Sequence, residues 1–139
     1  MRAETSVAPA LSAVAPARRW ARERLVEAGV EPSRLEVLVL LVSELVTNAV
    51  AHADPPVVLR VDVDDVRTRI EVTDGAREEP VLRNPPPTAL GGRGVMFIDR
   101  LSSSWGTAVE EDGVAVKAVW FELRHDHVPA DLARFVREP

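Results

Sequence analysis

Apolar positions along this chain recur with two different periods. Trp20, Ala21, Leu25 and Ala28 recur at helical spacing, with Arg18, Arg19, Arg22, Glu23 and Arg24 between them as an exposed face that reads either as simple solvation or as a partner-docking surface. Pro16 suits the first turn of such a helix, and Gly29 is a plausible stop. Pro32-Ser33 followed by Glu36 has the spacing of a capping box, so a second helix is predicted from there to Ala51 or His52. Its first half is apolar almost all round, the mark of a central, buried helix. The period then changes to two. Val57, Leu59, Val61 and Val63 alternate with other residues and predict a strand over Val57–Val63. Asp64-Asp65 turns the chain, and Arg67–Thr73 is the hairpin partner, with Ile70 and Val72 pointing inward.

From Asp74 to Leu90 there is little periodicity, and Gly75, Pro80 and Pro85 to Pro87 punctuate the stretch. A long irregular segment inside a small domain is usually functional or disordered. Gly91-Gly92-Arg93-Gly94 then precedes a helical-looking Val95–Leu101. Ser104–Val109 and Val114–Leu123 read as strands around a Glu111-Asp112-Gly113 turn, and a short helix is expected around Asp131–Val136. The order helix, helix, strand, strand, loop, helix, strand, strand is α+β. It predicts a two-layer sandwich, helices packed on one face of a mixed, mostly antiparallel sheet. No βαβ alternation is present, which excludes a Rossmann fold despite the glycines. The expected organisation is a flexible segment over 1–15, one domain over 16–125 and a tail over 126–139.

Composition narrows the classes. With 139 residues, 46% apolar and 28% charged, the chain can bury a core without staples. The absence of cysteine excludes disulfides, thiolate zinc sites and cysteine nucleophiles, and is compatible with a reducing cytoplasm. A net charge of −5 argues against a protein that coats nucleic acid, and the lack of tyrosine leaves few platforms for stacking bases. The most apolar run, Val37–Val42, soon meets Glu44 and Asn48, far short of the roughly 18 residues that span a bilayer. Glu4 and two prolines interrupt the weak likeness of the N-terminus to a signal peptide. A cytoplasmic protein with no membrane and no direct nucleic-acid partner is expected.

Three constellations carry candidate chemistry. Glu44, Asn48 and His52 are spaced by four residues and share one stripe of the second helix, beside the apolar stripe of Leu38, Leu41, Leu45 and Ala49. The stripe reads either as a solvated face or as a site. In the second case Asn48 offers a neutral oxygen suited to Mg²⁺, and Glu44 a carboxylate that takes a proton from an attacking hydroxyl. Asp74 follows a strand directly and reads either as an Asp-Gly turn or as an acceptor for an exocyclic amine such as that of adenine. Gly91-Gly92-Arg93-Gly94 reads either as a flexible loop or as a backbone cradle for phosphate at a helix start. It is not a Walker A loop, because the Lys-Ser/Thr pair is missing.

Taken in order, these segments resemble the small anti-sigma-factor serine kinases of the gyrase, histidine-kinase and mismatch-repair ATPase superfamily. LVSELVTNAVAHA, Leu41–Ala53, is similar to the N box. IEVTDG, Ile70–Gly75, resembles the first glycine box, and GGRGVMFIDRLSSSWG, Gly91–Gly106, the second. One departure stands out: Ala76 occupies the position two residues after the aspartate where the family often has glycine. The resemblance spans about Arg18 to Leu123. It implies ATP and Mg²⁺ as cofactors, with Asn48 as the metal ligand, Glu44 as the catalytic base and Asp74 on the adenine amine. Gly92, Arg93 and Gly94 belong on that basis to a phosphate-facing lid. It further implies a serine/threonine protein kinase that phosphorylates an anti-anti-sigma partner and holds a sigma factor inactive, and a homodimer fits the family. The alternative is a nucleotide-responsive binding module without phosphotransfer. A third reading is an α+β domain with no nucleotide.

Overall fold

The computed structural model describes residues 1–52, 56–75, 102, 104–111 and 115–126. They form β1 (Arg2–Val7), a single 3₁₀ turn (Leu11–Ala13), α1 (Val14–Glu27), α2 (Pro32–His52), β2 (Val57–Val63), β3 (Arg67–Asp74), β4 (Ser104–Glu111) and β5 (Ala115–Arg124). The strands make one sheet in the order β1-β2-β3-β5-β4. Every pairing among the described strands is antiparallel, so the parallel component of the expected mixed sheet is not found among them. The two helices pack on one face, giving the predicted two-layer α+β sandwich.

Alternation builds the sheet's inner face. Val57, Leu59, Val61 and Val63 of β2, Thr68, Ile70 and Val72 of β3, and Phe121 and Leu123 of β5 are buried beneath the helices. Ala17, Ala21 and Leu25 of α1 and Leu38, Leu41, Val42, Leu45 and Val46 of α2 close the core from above. α1 ends as its sequence dictates. Gly29 takes φ +82° while its N–H donates to Val26 O at 3.0 Å and the Val30 N–H to Leu25 O at 3.1 Å. This is a Schellman stop, and a left-handed residue is what requires glycine there.

Two expectations are corrected. Residues 2–7 are not loose: they form the edge strand β1 on β2, in the register Arg2↔Asp62 and Glu4↔Arg60. The pattern is faint in sequence because only Val7 is buried. Pairing is secured instead by cross-strand charges, with Glu4 Oε2 accepting from Arg60 at 2.8 Å, and by the terminal ammonium donating to Val63 O at 2.7 Å. Charged residues are also what a sheet edge needs to resist further pairing. The capping box is not used either. Pro32 is the first helical residue, and Glu36 leaves the helix start to accept from Arg22 of α1 at 2.9 Å.

The outer sheet face is a ladder of alternating charge. Arg60 bonds Glu71 at 3.1 Å, Arg69 bonds Glu71 at 3.3 Å and Glu122 at 2.9 Å, and Arg67 reaches Glu122 at 2.7 Å. The Arg69 guanidinium also lies 4.4 Å over the Trp120 ring.

Candidate functional site

The chain's connections decide which end of the sandwich holds the polar stripe. At the start of α2, Arg34 donates to the backbone oxygen of His125, and the His125 N–H donates to Val66 O at 2.8 Å, in the β2–β3 turn. At the other end only four residues separate His52 from Val57, the first residue of β2. Val58 pairs with Thr73, so this start of β2 lies beside the finish of β3. α2 therefore runs from the β2–β3 turn towards the end where Asp74 sits, packing on α1 and, within the sheet, chiefly on β3.

Asp74 shares strand parity with Ile70 and Val72, the face covered by helices. It is only 8% exposed. A carboxylate this buried needs polar company. Asn48 lies one turn before the end of α2, and its Oδ1 is buried with no hydrogen-bond partner among the described residues. An amide oxygen that has lost water without gaining a donor is the kind of atom a cation or ligand donor completes. Glu44 precedes it by four residues, about 6 Å along the helix axis. Its half-buried carboxylate makes no ion pair among the described residues. Glu44 and Asn48 are thus on one stripe at the Asp74 end of the domain.

The remaining residues singled out in the sequence lie outside the described residues. These are Gly92, Arg93 and Gly94 of the glycine loop, Ala76, the helix over 95–101 and the tail helix over 131–136. His52 closes α2 with its backbone, and its side chain lies outside them too. The residues present fit Mg²⁺ in one respect that can be tested on the structure: the orphaned Asn48 Oδ1 is a hard oxygen donor. Among the described residues no cluster of three metal-ligating side chains occurs. That donor set suits an ion that keeps most of its waters and shares phosphate oxygens.

One feature of the site is not visible in the sequence pattern. An open groove of about 670 Å³ lies between the helices, lined among the described residues by Arg18 and Arg22 of α1 and by Glu36, Val37, Val39, Leu40, Ser43 and Glu44 of α2. Its α2 wall is the stripe Glu36, Leu40, Glu44, continued one turn on by Asn48. The spacing of Arg18 and Arg22 by four residues was the available signal, but it acquires meaning only once the two helices are known to pack antiparallel.

The chain belongs to the histidine kinase-like ATPase domain family, whose profile matches residues 7–120. Family membership implies ATP as the ligand. In fold the chain is similar to a protein in the crystal structure of the SiaB–SiaC complex from Pseudomonas aeruginosa. The TM-score is 0.64 at 13% identity, covering 87% of this chain and 88% of that one. No curated protein matches the sequence. Among the described residues, no helix is long and apolar enough to cross a membrane.

Proposed function

We propose that this protein is an ATP-dependent serine/threonine protein kinase of the anti-sigma-factor type. It phosphorylates an anti-anti-sigma partner and sequesters a sigma factor. The observation that carries the reading is the placement of Glu44 one helical turn before Asn48, whose Oδ1 is buried without a partner among the described residues, at the end of the domain where Asp74 is buried. Asp74 accepts from the adenine amine and so orients the nucleotide. Asn48 would hold Mg²⁺, which when bound neutralises phosphate charge. Glu44 takes the proton of the acceptor hydroxyl as its oxygen forms a bond to the γ-phosphorus. The bond from that phosphorus to the β-phosphate bridging oxygen breaks, and ADP leaves with the electron pair. Most of the catalysis of such a transfer is positioning and charge neutralisation, so few side chains suffice.

The test is a transfer assay with γ-labelled ATP and partner proteins captured from the native cell. The wild type should label a serine or threonine. Glu44→Gln should keep nucleotide affinity within about twofold while transfer falls by roughly 10²-fold or more, the usual contribution of a positioned base. Transfer by Glu44→Gln at the wild-type rate would refute the base assignment.

A further inference from the structure

At the end of the sandwich away from Asn48 and Asp74, Arg34 ties the start of α2 to the sheet side of the domain. We infer that this tie makes Arg34 a positioning residue for the nucleotide. It sets how far α2 lies along β3, and so the span between the group that meets adenine and the group that meets phosphate. The role rests on the assignment of Asp74 and Asn48 to those two ends of ATP.

The Arg34 guanidinium bridges a gap. A cleft of about 270 Å³ lies between the α1–α2 connection and the β2–β3 turn, lined in part by Val30, Glu31, Arg34, Asp64, Asp65 and His125. Apolar packing does not fill it. Nη1 of Arg34 donates to Glu31 at 2.9 Å, just before the helix, and Nη2 donates across to the backbone oxygen of His125. That acceptor is itself held. The His125 N–H donates to Val66 O at 2.8 Å. Its Nδ1–H donates to Asp65 O at 3.3 Å, a carbonyl that can only accept. Nε2 is then left to accept from the fully buried Thr68 hydroxyl at 2.9 Å. Through one residue, Arg34 therefore reaches the first inward-facing side chain of β3.

This anchor is equally distant from both halves of the site. α2 and β3 leave it in the same direction. The helix from Arg34 to Asn48 covers about 21 Å at 1.5 Å per residue. The strand from Thr68 to Asp74 covers about 20 Å at 3.3 Å per residue. Held level at one end, the two elements bring Asn48 and Asp74 level at the other. Apolar contact between α2 and the sheet is non-directional and tolerates an axial slip. Among the described side chains, Arg34 makes the one hydrogen bond from α2 to the sheet side; the bond of Glu36 to Arg22 goes to α1. A slip by one residue's rise matters, because a misplacement of about 1 Å set up far from the chemistry can cost roughly 10²-fold.

The experiment compares ATP with adenosine, each with Mg²⁺, by NMR titration of the wild type, Arg34→Met and Arg34→Lys, with a melting temperature for each. Adenosine engages Asp74 but brings no phosphate to Asn48, whereas ATP needs both ends at the right span. Arg34→Met keeps the aliphatic stem and loses the donor. It should bind ATP at least about tenfold more weakly, while adenosine affinity stays within about twofold. Arg34→Lys, which still offers a donor to the His125 carbonyl, should recover most of the ATP affinity. Arg34→Met added to Asn48→Ala should weaken ATP no further, because the span has lost one of its ends. Where Arg34→Met melts too low to titrate, Thr68→Val cuts the same tether one residue further on and carries the same expectation. Equal weakening of both ligands in both backgrounds is mere loss of structure and would overturn the inference, as would an ATP affinity unchanged in Arg34→Met. Failure of the site itself reads differently. ATP that leaves Asn48 and Asp74 unshifted in the wild type removes the site and the positioning role together, whereas wild-type shifts at both with an unchanged Arg34→Met remove the positioning role alone.

Discussion

Replacing Asn48 by alanine should stabilise the empty protein and abolish its response to nucleotide. The Asn48 Oδ1 is buried without a donor among the described residues, and an unsatisfied buried carbonyl costs about 1–3 kcal/mol. Alanine removes that atom and gains roughly 0.5 kcal/mol of helix propensity in the last turns of α2. The opposing loss is small, because Asn48 is only half-buried and its truncation opens little cavity. The net expectation is about 1 kcal/mol in favour of the variant. For a domain of this size that raises Tm by about 3–5 °C. Ligand reverses the order. At about 100 times Kd, ATP with Mg²⁺ adds roughly 2.7 kcal/mol to whatever binds it. The wild type should therefore climb by about 10 °C while Asn48→Ala climbs by less than a third of that. Differential scanning fluorimetry at pH 7, with and without millimolar ATP and Mg²⁺, reads both halves. An empty variant that melts several degrees below the wild type, or equal nucleotide shifts in both, would refute the assignment of this oxygen.

Two further outcomes test the scaffold. The Asp64 carboxylate accepts from the backbone N–H groups of Val66 and Arg67 at 2.7 and 2.8 Å, the Arg67 bond contributing most to holding its pKa below the ordinary 3.8. A lowered folded pKa adds stability above the unfolded value and forfeits it as pH falls through the folded one. Asp64→Ala should thus melt below the wild type at pH 7, and urea titrations should show the gap closing below about pH 3.8. At Gly106 an added Cβ would lie 2.9 Å from Trp120 Cζ2, and Arg69 stacks 4.4 Å from that ring. Gly106→Ala should cost about 1–3 kcal/mol by overpacking and shift tryptophan fluorescence; a melting temperature and spectrum equal to the wild type would contradict this packing.

How much of the molecule was legible in advance depended on whether local pattern or long-range contact sets each feature. β2 matches its predicted range because one face is fully buried and the other is not, so the period of two survives in the sequence. α2 matches because its apolar stripe is nearly unbroken, and for the same reason Glu44 and Asn48 stand out on it. β1 was illegible: its inward residues Ala3 and Thr5 are small and half-buried, and its pairing depends on Arg60 and Asp62, more than fifty residues away. Glu36 looked like a capping residue, but a guanidinium on another helix outcompetes the helix start for it. Arg18 reads in the sequence either as a solvated charge or as part of a docking face. That it lines one groove with Glu44 comes from the packing of α1 on α2, which no window along the chain contains.

The claim that Asp74 closes an adenine pocket is tested most directly by calorimetric titration of ATP and GTP, each with Mg²⁺, into the wild type and Asp74→Asn. A buried carboxylate accepts from the amine of adenine but faces the carbonyl of guanine at the same position, leaving two acceptors unpaired. The wild type should bind ATP at least about tenfold tighter than GTP, and Asp74→Asn, which offers a donor there, should narrow the gap. Equal affinity of the wild type for the two nucleotides, or a preference left unchanged by Asp74→Asn, would contradict the site described here.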